Sequence, residues 1–161
     1  MTYILSNSSF ENLSTCCVDL KRVVIAAIKT SPIDFSVICG FRDKEAQELA
    51  FRLGHSKLHF PLSSHNKNPS LAVDIIPYPS GYKDIYNFQI MGAHILLTAH
   101  SMGIKLCWGG FWCEPKDYPC HDWASNGADA FSTFSLQESF FGQAGVKGIR
   151  KNAVNTGRMY S

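Results

Sequence analysis

The chain has 161 residues, 45% of them hydrophobic, which predicts one globular domain with a substantial core. Its formal net charge is +2 and its acidic and basic residues are interspersed, so no basic patch favours nucleic acid as a partner. No window reaches the roughly 18 apolar residues of a membrane span. We therefore expect neither nucleic-acid binding nor a membrane span.

The six cysteines do not by themselves indicate disulfides. The start, Met1 to Asn7, has no basic region followed by a long apolar run, so we expect no signal peptide and synthesis in a cytoplasm. Reduced thiols are then the expected state. Cys39 and Cys107 lie in apolar runs and are interpreted as core residues. Cys16 and Cys17, near a helix start, leave a thiol hydrolase as the weakest alternative.

Apolar periodicity predicts a first helix from about Thr15 to Lys29 and then a strand over residues 35–39. Asp43 is a good N-cap for a second helix, which Gly54 ends. Residues 55–70 are predicted to form a polar loop.

A buried strand is predicted over residues 71–76, and a long helix follows from about Asp84 to Met102. Two further strands are predicted at 104–108 and 117–123. After them the composition turns to Ser, Gly, Ala, Asn and Phe without a clear period. We therefore predict a domain over residues 1–123 and an appended tail of uncertain order over 124–161.

The predicted strand 71–76 carries one acid, Asp74, which must be paired or metal-bound if it is buried. Strand alternation places Asp74 on one face of this strand and its two apolar neighbours on the other. Alone, such an Asp is more often a structural hydrogen-bond acceptor, and a loop histidine such as His65 is usually solvated. A second cluster, Asp117-Tyr118-Pro119-Cys120-His121, follows about fifty residues later. Two ligands close in sequence and a third far away often build an open catalytic zinc site. That pattern favours a hydrolase.

The stretch from Ser64-His65 to Ser70-Leu71-Ala72-Val73-Asp74 resembles the zinc peptidases of the D-Ala-D-Ala carboxypeptidase and L-alanyl-D-glutamate endopeptidase family, which includes many phage endolysins. Further matching pieces follow the family's order: Gly40-Phe41-Arg42, Trp108-Gly109-Gly110-x-Trp112 and Asp117-x-Pro119. The resemblance covers residues 13–123. It implies the Hedgehog/DD-peptidase fold, an α+β architecture with a small, mainly antiparallel sheet and flanking helices.

The resemblance also implies a zinc ion held by His65, Asp74 and His121. The family usually places its acid three residues before the last histidine, whereas here Asp117 precedes His121 by four. A match without a gap would put Cys120 in the ligand position, and a thiolate can bind zinc. We favour His121 because open catalytic sites commonly use histidine.

Three residues receive other roles from the resemblance. Asp117 matches the catalytic acid/base that moves a proton from the attacking water to the leaving amine. Arg42 matches the catalytic and substrate-binding arginine that stabilises the developing oxyanion. Ser64 matches a residue that supports ligand or substrate geometry.

These roles imply a zinc peptidase that cuts the peptide stem of bacterial peptidoglycan, with L-alanyl-D-glutamate endopeptidase as the preferred specificity. The alternatives are a D-Ala-D-Ala carboxypeptidase and a zinc-containing module that binds the wall without cutting it. We expect a monomer that is made in the host cytoplasm and reaches the cell wall after release through a holin-type lesion.

Overall fold

The computed structural model describes residues 2–111 and 133–136. Within these ranges, helices lie beside one antiparallel sheet. The helices are α1 (Asn7–Ser14), α2 (Val18–Thr30), α3 (Lys44–Arg52) and α4 (Ile85–Ser101). The strands are β1 (Phe35–Cys39), β2 (Ala72–Pro77), β3 (Leu106–Trp108) and β4 (Thr133–Leu136). The strand predicted at 117–123 lies outside the described residues.

The sheet has the order β1-β2-β4-β3, and each neighbouring pair is antiparallel. The predicted α+β fold is therefore confirmed. Asp74 of β2 pairs with Cys39 on one side and with Thr133 on the other. A register shift interrupts β1 between Val37 and Cys39, and such a bulge changes the direction of the side chains that follow it.

The hydrophobic core lies between the sheet and two helices, because α4 packs against α2, β2 and β3. Strand alternation places Val73 and Ile75 in this core, where both are fully buried. Asp74 therefore lies on the opposite face, as predicted. None of the helices in the described part of the chain has both the length and the apolar character needed to cross a membrane.

The helix predicted over residues 15–29 corresponds to α2, which begins three residues later at Val18, and the separate helix α1 that precedes it was not predicted. Cys17 is the extended residue before α2, and its N–H donates to the carbonyl of Ser70 at 2.9 Å. The N–H of Ser70 donates in turn to the carbonyl of Thr15 at 2.9 Å. This backbone pairing uses groups that a continuous helix would need, so the helix is interrupted.

The other predicted helix ends are confirmed. Asp43 caps α3 and Asp84 caps α4, each by accepting a hydrogen bond from a backbone N–H of the first turn. Gly54 and Gly103 follow these helices with φ of +79° and +70°, a conformation that glycine adopts without strain.

Strand β4 lies inside the range 124–161 that was predicted to be a tail. It pairs with β2 through residues 133–135 and with β3 through residues 134–136, and so occupies the interior of the sheet. Phe134 is fully buried in the core. The boundary at residue 123 stays a prediction, since the structure describes no other residue of this range.

Candidate active site

The candidate site forms where the end of β1, a short helical turn at Ser64–Asn66 and the strands β2 and β4 meet. His65 comes from the turn and Asp74 from β2, and their side chains are 5% and 9% exposed. The structure thus brings together two residues that the sequence predicted to be metal ligands.

His65 is oriented by hydrogen bonds on both its backbone and its ring. Its N–H donates to the hydroxyl of Ser63 at 3.3 Å, within a capping box. Ring atom Nδ1 lies 2.7 Å from the carbonyl oxygen of Gly40 and must therefore carry a proton. The other ring nitrogen, Nε2, lies 3.3 Å from Oδ1 of Asp74.

Nε2 and the Asp74 carboxylate are close enough for an ion pair, but their geometry is not that of a hydrogen bond. Although it is buried, Nε2 of His65 has no hydrogen-bond partner in the described ranges. Burial acts to lower the pKa of His65, but the Asp74 carboxylate outweighs it and the pKa is raised to about 10. Zinc binds the neutral imidazole, so a metal ion at Nε2 would displace a proton from this atom.

Asp74 is held by contacts at both carboxylate oxygens. The hydroxyl of Thr133 donates to Oδ1 at 2.6 Å. Nη2 of Arg42 donates to Oδ2 at 3.0 Å. Burial acts to raise the pKa of Asp74, but His65 and the hydrogen bond from Thr133 overcome this and hold the pKa below its usual range. The carboxylate is therefore ionised in its buried position.

The donor set of His65 and Asp74 fits zinc. Zinc-binding histidines almost always donate their second ring N–H to a carbonyl or carboxylate, as His65 does to Gly40. Two ligand atoms in a tetrahedral zinc site lie about 3.4 Å apart, and Nε2 and Oδ1 are 3.3 Å apart. The unpartnered Nε2 is the atom that the metal would take.

Cys39 belongs to the same group of potential ligands, since its sulfur lies within 4.8 Å of the donor atoms of His65 and Asp74. The interpretation of Cys39 as a core residue is therefore wrong. Its sulfur is 4.0 Å from Nδ1 of His65, the nitrogen already occupied by Gly40, and 3.9 Å from Nη2 of Arg42. Cys39 thus approaches the ring of His65 at the nitrogen that Gly40 already binds. The position of Cys39 directly before Gly40-x-Arg42 was the one feature of the sequence that could have indicated its place at the site.

The Gly-x-Arg segment has a steric explanation. A Cβ on Gly40 would collide with the carbonyl oxygen of Asn12 and with the side chain of Thr15. Only glycine lets the chain pass this close to α1 and still present its carbonyl to His65. Two residues later, the N–H of Arg42 donates to the carbonyl of His65 at 2.9 Å, which fixes the arginine beside the buried pair.

The remaining predicted site residues are less well placed by the structure. Ser64 contributes its carbonyl, which accepts a hydrogen bond from Leu71 at 3.1 Å. Asp117, Cys120 and His121 lie outside the described residues. Sequence reasoning missed Thr133, because it lies in a segment without periodicity. It reaches Asp74 only because β4 pairs with β2 in the folded sheet.

Cys16 gives the thiol hydrolase little support. It is fully buried, and burial raises the pKa of the Cys16 thiol to about 12. Its sulfur faces the carbonyl of Ala72 at 3.7 Å. A nucleophilic cysteine needs the reverse, an accessible sulfur with a lowered pKa.

A buried His–Asp pair with an unpartnered nitrogen, set beside an arginine on an antiparallel sheet, defines a small α+β enzyme with a candidate metal site. The sequence model described as phage L-alanyl-D-glutamate peptidase matches residues 1–129. The chain belongs to this phage L-alanyl-D-glutamate peptidase family.

Two relatives agree with this assignment. The L-alanyl-D-glutamate peptidase of Escherichia phage T5 is 30% identical over 127 residues, covering 76% of this chain and 89% of that protein. The crystal structure of the Serratia marcescens L-Ala D-Glu endopeptidase ChiX has a TM-score of 0.65 at 27% identity, covering 86% of this chain and 93% of ChiX. The predicted L-alanyl-D-glutamate peptidase is confirmed at the level of the family, and the carboxypeptidase alternative gains no support.

Proposed function

We propose that this protein is a zinc-dependent endopeptidase that cuts the bond between L-Ala and D-Glu in the peptide stems of bacterial peptidoglycan. Family membership supports the bond specificity. The observation that carries the zinc assignment is the buried Nε2 of His65, which lacks a hydrogen-bond partner among residues 2–111 and 133–136 and lies 3.3 Å from an ionised carboxylate.

The zinc ion would be held by Nε2 of His65, the carboxylate of Asp74 and the imidazole of His121. When bound, zinc would supply a Lewis acid that polarises the scissile amide carbonyl. Cys120 is the competing third ligand, because its spacing from Asp117 matches the usual family spacing without a gap. The preference for His121 rests on the ligand types of open catalytic zinc sites.

The chain's own groups divide the remaining work. Asp117 accepts a proton from the attacking water and passes it to the departing amine, which an amide needs in order to leave. Arg42 presents its guanidinium to the substrate carbonyl or carboxylate and stabilises negative charge that develops there. Its side chain is 16% exposed, so it can contact both Asp74 and a ligand. Ser64 supports this geometry through the turn that carries His65.

We further propose that the enzyme acts as a monomer. It is made in the host cytoplasm and reaches the wall through a holin-type lesion. Membership of a family of phage peptidases motivates this route.

Mass spectrometry of purified peptidoglycan, incubated with zinc-loaded protein and in parallel with a chelator, tests the activity. We expect new chelator-sensitive fragments with a free L-Ala carboxyl group and a free D-Glu amine. Loss of only the terminal D-Ala would instead identify a carboxypeptidase. Binding to the wall without any cleavage would identify a non-catalytic zinc module.

The zinc content of three variants tests the assigned roles. Asp117→Ala should keep zinc and lose turnover, since only the proton carrier is removed. His121→Ala should lose zinc while Cys120→Ala keeps it. The reverse metal contents would identify Cys120 as the third ligand.

A further inference from the structure

Helix α3 packs against the rest of the protein through a buried polar side chain. Gln47 is the one buried side chain in this helix, every residue of which is described, and its exposure is 0%. The buried positions of α2 and α4 are almost all apolar. A fully buried amide is costly unless its polar atoms find partners, so its contacts should explain its presence.

The side-chain amide of Gln47 is saturated with hydrogen bonds. Its Nε2 donates to the hydroxyl of Ser56 at 2.9 Å and to the carbonyl of Leu58 at 2.6 Å. Its Oε1 accepts from Nη1 of Arg42 and from Nδ2 of Asn66, both at 3.3 Å. These contacts use both donors and both acceptor positions of the group. Gln47 thus joins the loop after α3 to the arginine of the candidate site.

Arg42 is consequently held at two ends of its guanidinium. Nη1 binds Gln47, and Nη2 binds Asp74 at 3.0 Å. The guanidinium is a rigid planar fork, so two acceptors on different nitrogens fix its plane, whereas one acceptor would leave it free to rotate. Asn66 supports the same arrangement by donating to the backbone carbonyl of Arg42 at 2.8 Å.

We propose that Gln47 is a positioning residue of the peptidase reaction, which fixes the plane of the Arg42 guanidinium toward the substrate. This inference rests on the proposed function, because it requires Arg42 to contact the substrate. Gln47 acts through Arg42 and does not itself reach the reacting atoms. Orientation of this kind affects rate strongly, since a displacement of about 1 Å can cost about a hundredfold.

Two substitutions at the same site separate positioning from packing. Gln47→Met fills similar space but offers Arg42 no acceptor, and Gln47→Glu keeps an acceptor while giving up the amide donors to Ser56 and Leu58. We expect kcat/KM on a soluble stem-peptide substrate to fall about 10- to 100-fold for Gln47→Met. Gln47→Glu should stay within about threefold of the unmodified enzyme. Zinc content should be unchanged in both.

A purely structural role predicts a different pattern. Both variants would then lose activity equally and in proportion to their loss of thermal stability, and that result would overturn the inference. Ser56→Ala is the matched control, because it removes a partner of Gln47 on the loop side only and should leave kcat/KM unchanged. Should Gln47→Met fail to fold, Gln47→Asn replaces it, since it withdraws the oxygen from Arg42 by one methylene and should lose activity similarly.

Arg42→Lys distinguishes this inference from the proposed function. The lysine keeps the charge but lacks the fork, so we expect a loss of kcat/KM of about a hundredfold. Unchanged kcat/KM would remove the substrate role of Arg42 and the inference with it. A loss for Arg42→Lys combined with equal losses for the two Gln47 variants would reject the inference alone.

Discussion

The two long helices of the core and the short helix beside the site are attached to the protein by different forces. Helix α4 buries Phe88, Met91, Gly92, Ile95 and Ala99 against the sheet and α2. Helix α3 buries only the polar Gln47 and leaves Leu49 and Leu53 48% and 59% exposed. Apolar packing therefore secures the core, while hydrogen bonds secure the helix that follows Arg42.

A second polar contact on α3 reinforces this difference. The carboxylate of Glu48 accepts a hydrogen bond from the N–H of Phe60 at 2.9 Å and lies 3.0 Å from Nδ1 of His59. The hydrogen bond from His59 lowers the pKa of Glu48. Hydrogen bonds are directional whereas apolar contacts are not. Directional contacts thus fix the orientation of side chains near the site, whereas apolar burial in the core stabilises the fold.

The largest effect is expected from the proposed metal ligands. His65→Ala should abolish zinc binding and reduce kcat/KM about a thousandfold, which corresponds to about 4 kcal/mol. Zinc per protein after dialysis and the rate of stem-peptide cleavage measure the two effects. His55→Ala, which changes an exposed histidine of the neighbouring loop, is the control and should behave as the unmodified enzyme. A His65→Ala protein that retained its zinc would refute this ligand assignment.

Substitutions in the core should lower the free energy of unfolding and leave the catalytic activity of the folded protein unchanged. Ile95→Ala removes a fully buried side chain and should lower the free energy of unfolding by about 2–5 kcal/mol. Leu97→Ala, on the same helix but at a position that is 69% exposed, should change it by about 0.5 kcal/mol or less. Denaturant unfolding measures both. The contrast between the two regions would fail if Ile95→Ala, assayed where it is fully folded, lost its activity.

The core was also the part that the sequence predicted well. Apolar periodicity located α4 to within a residue at each end, and alternation assigned the two faces of β2. The prediction placed the start of α2 three residues too early, because the pairing of Cys17 with Ser70 is a contact between distant segments. Periodicity indicates which side chains face a core, but it does not indicate which backbone groups form hydrogen bonds with distant segments.

The candidate site could be predicted only in part. His65, Asp74 and Arg42 were found through motifs, and the structure brings them together. The residues that orient them were not found, since the partner of Asp74 at Thr133 is 59 positions away. Gln47 was not found either, because its contacts depend on how α3 lies beside the loop at Ser56–Leu58. Such partners follow from tertiary geometry alone.

A smaller effect is expected at the distant partner of Asp74. Thr133→Val keeps the shape of the side chain but removes the hydroxyl that donates to Oδ1 at 2.6 Å. We expect zinc affinity to fall about 10- to 100-fold, as is typical when a group that orients a metal ligand is lost. Competition with a chromophoric chelator measures the affinity. Thr133→Ser retains the hydroxyl and should restore most of it, whereas equal affinities for both variants would mean that this hydrogen bond does not orient the ligand.

The smallest effect is expected at Cys16, which belongs to the hydrophobic core. Its thiol is fully buried and burial raises its pKa to about 12, so at pH 8 it is a neutral packing group and not a nucleophile. Alkylation of the native protein followed by peptide mass spectrometry should leave Cys16 unmodified, and Cys16→Ala should keep kcat/KM within about twofold, since buried structural thiols are chemically inert. A chelator should still abolish the activity of that variant. Inactivation by the substitution without loss of zinc would instead favour a thiol hydrolase, and it would move the chemistry from the hydrogen-bonded site to the packed core.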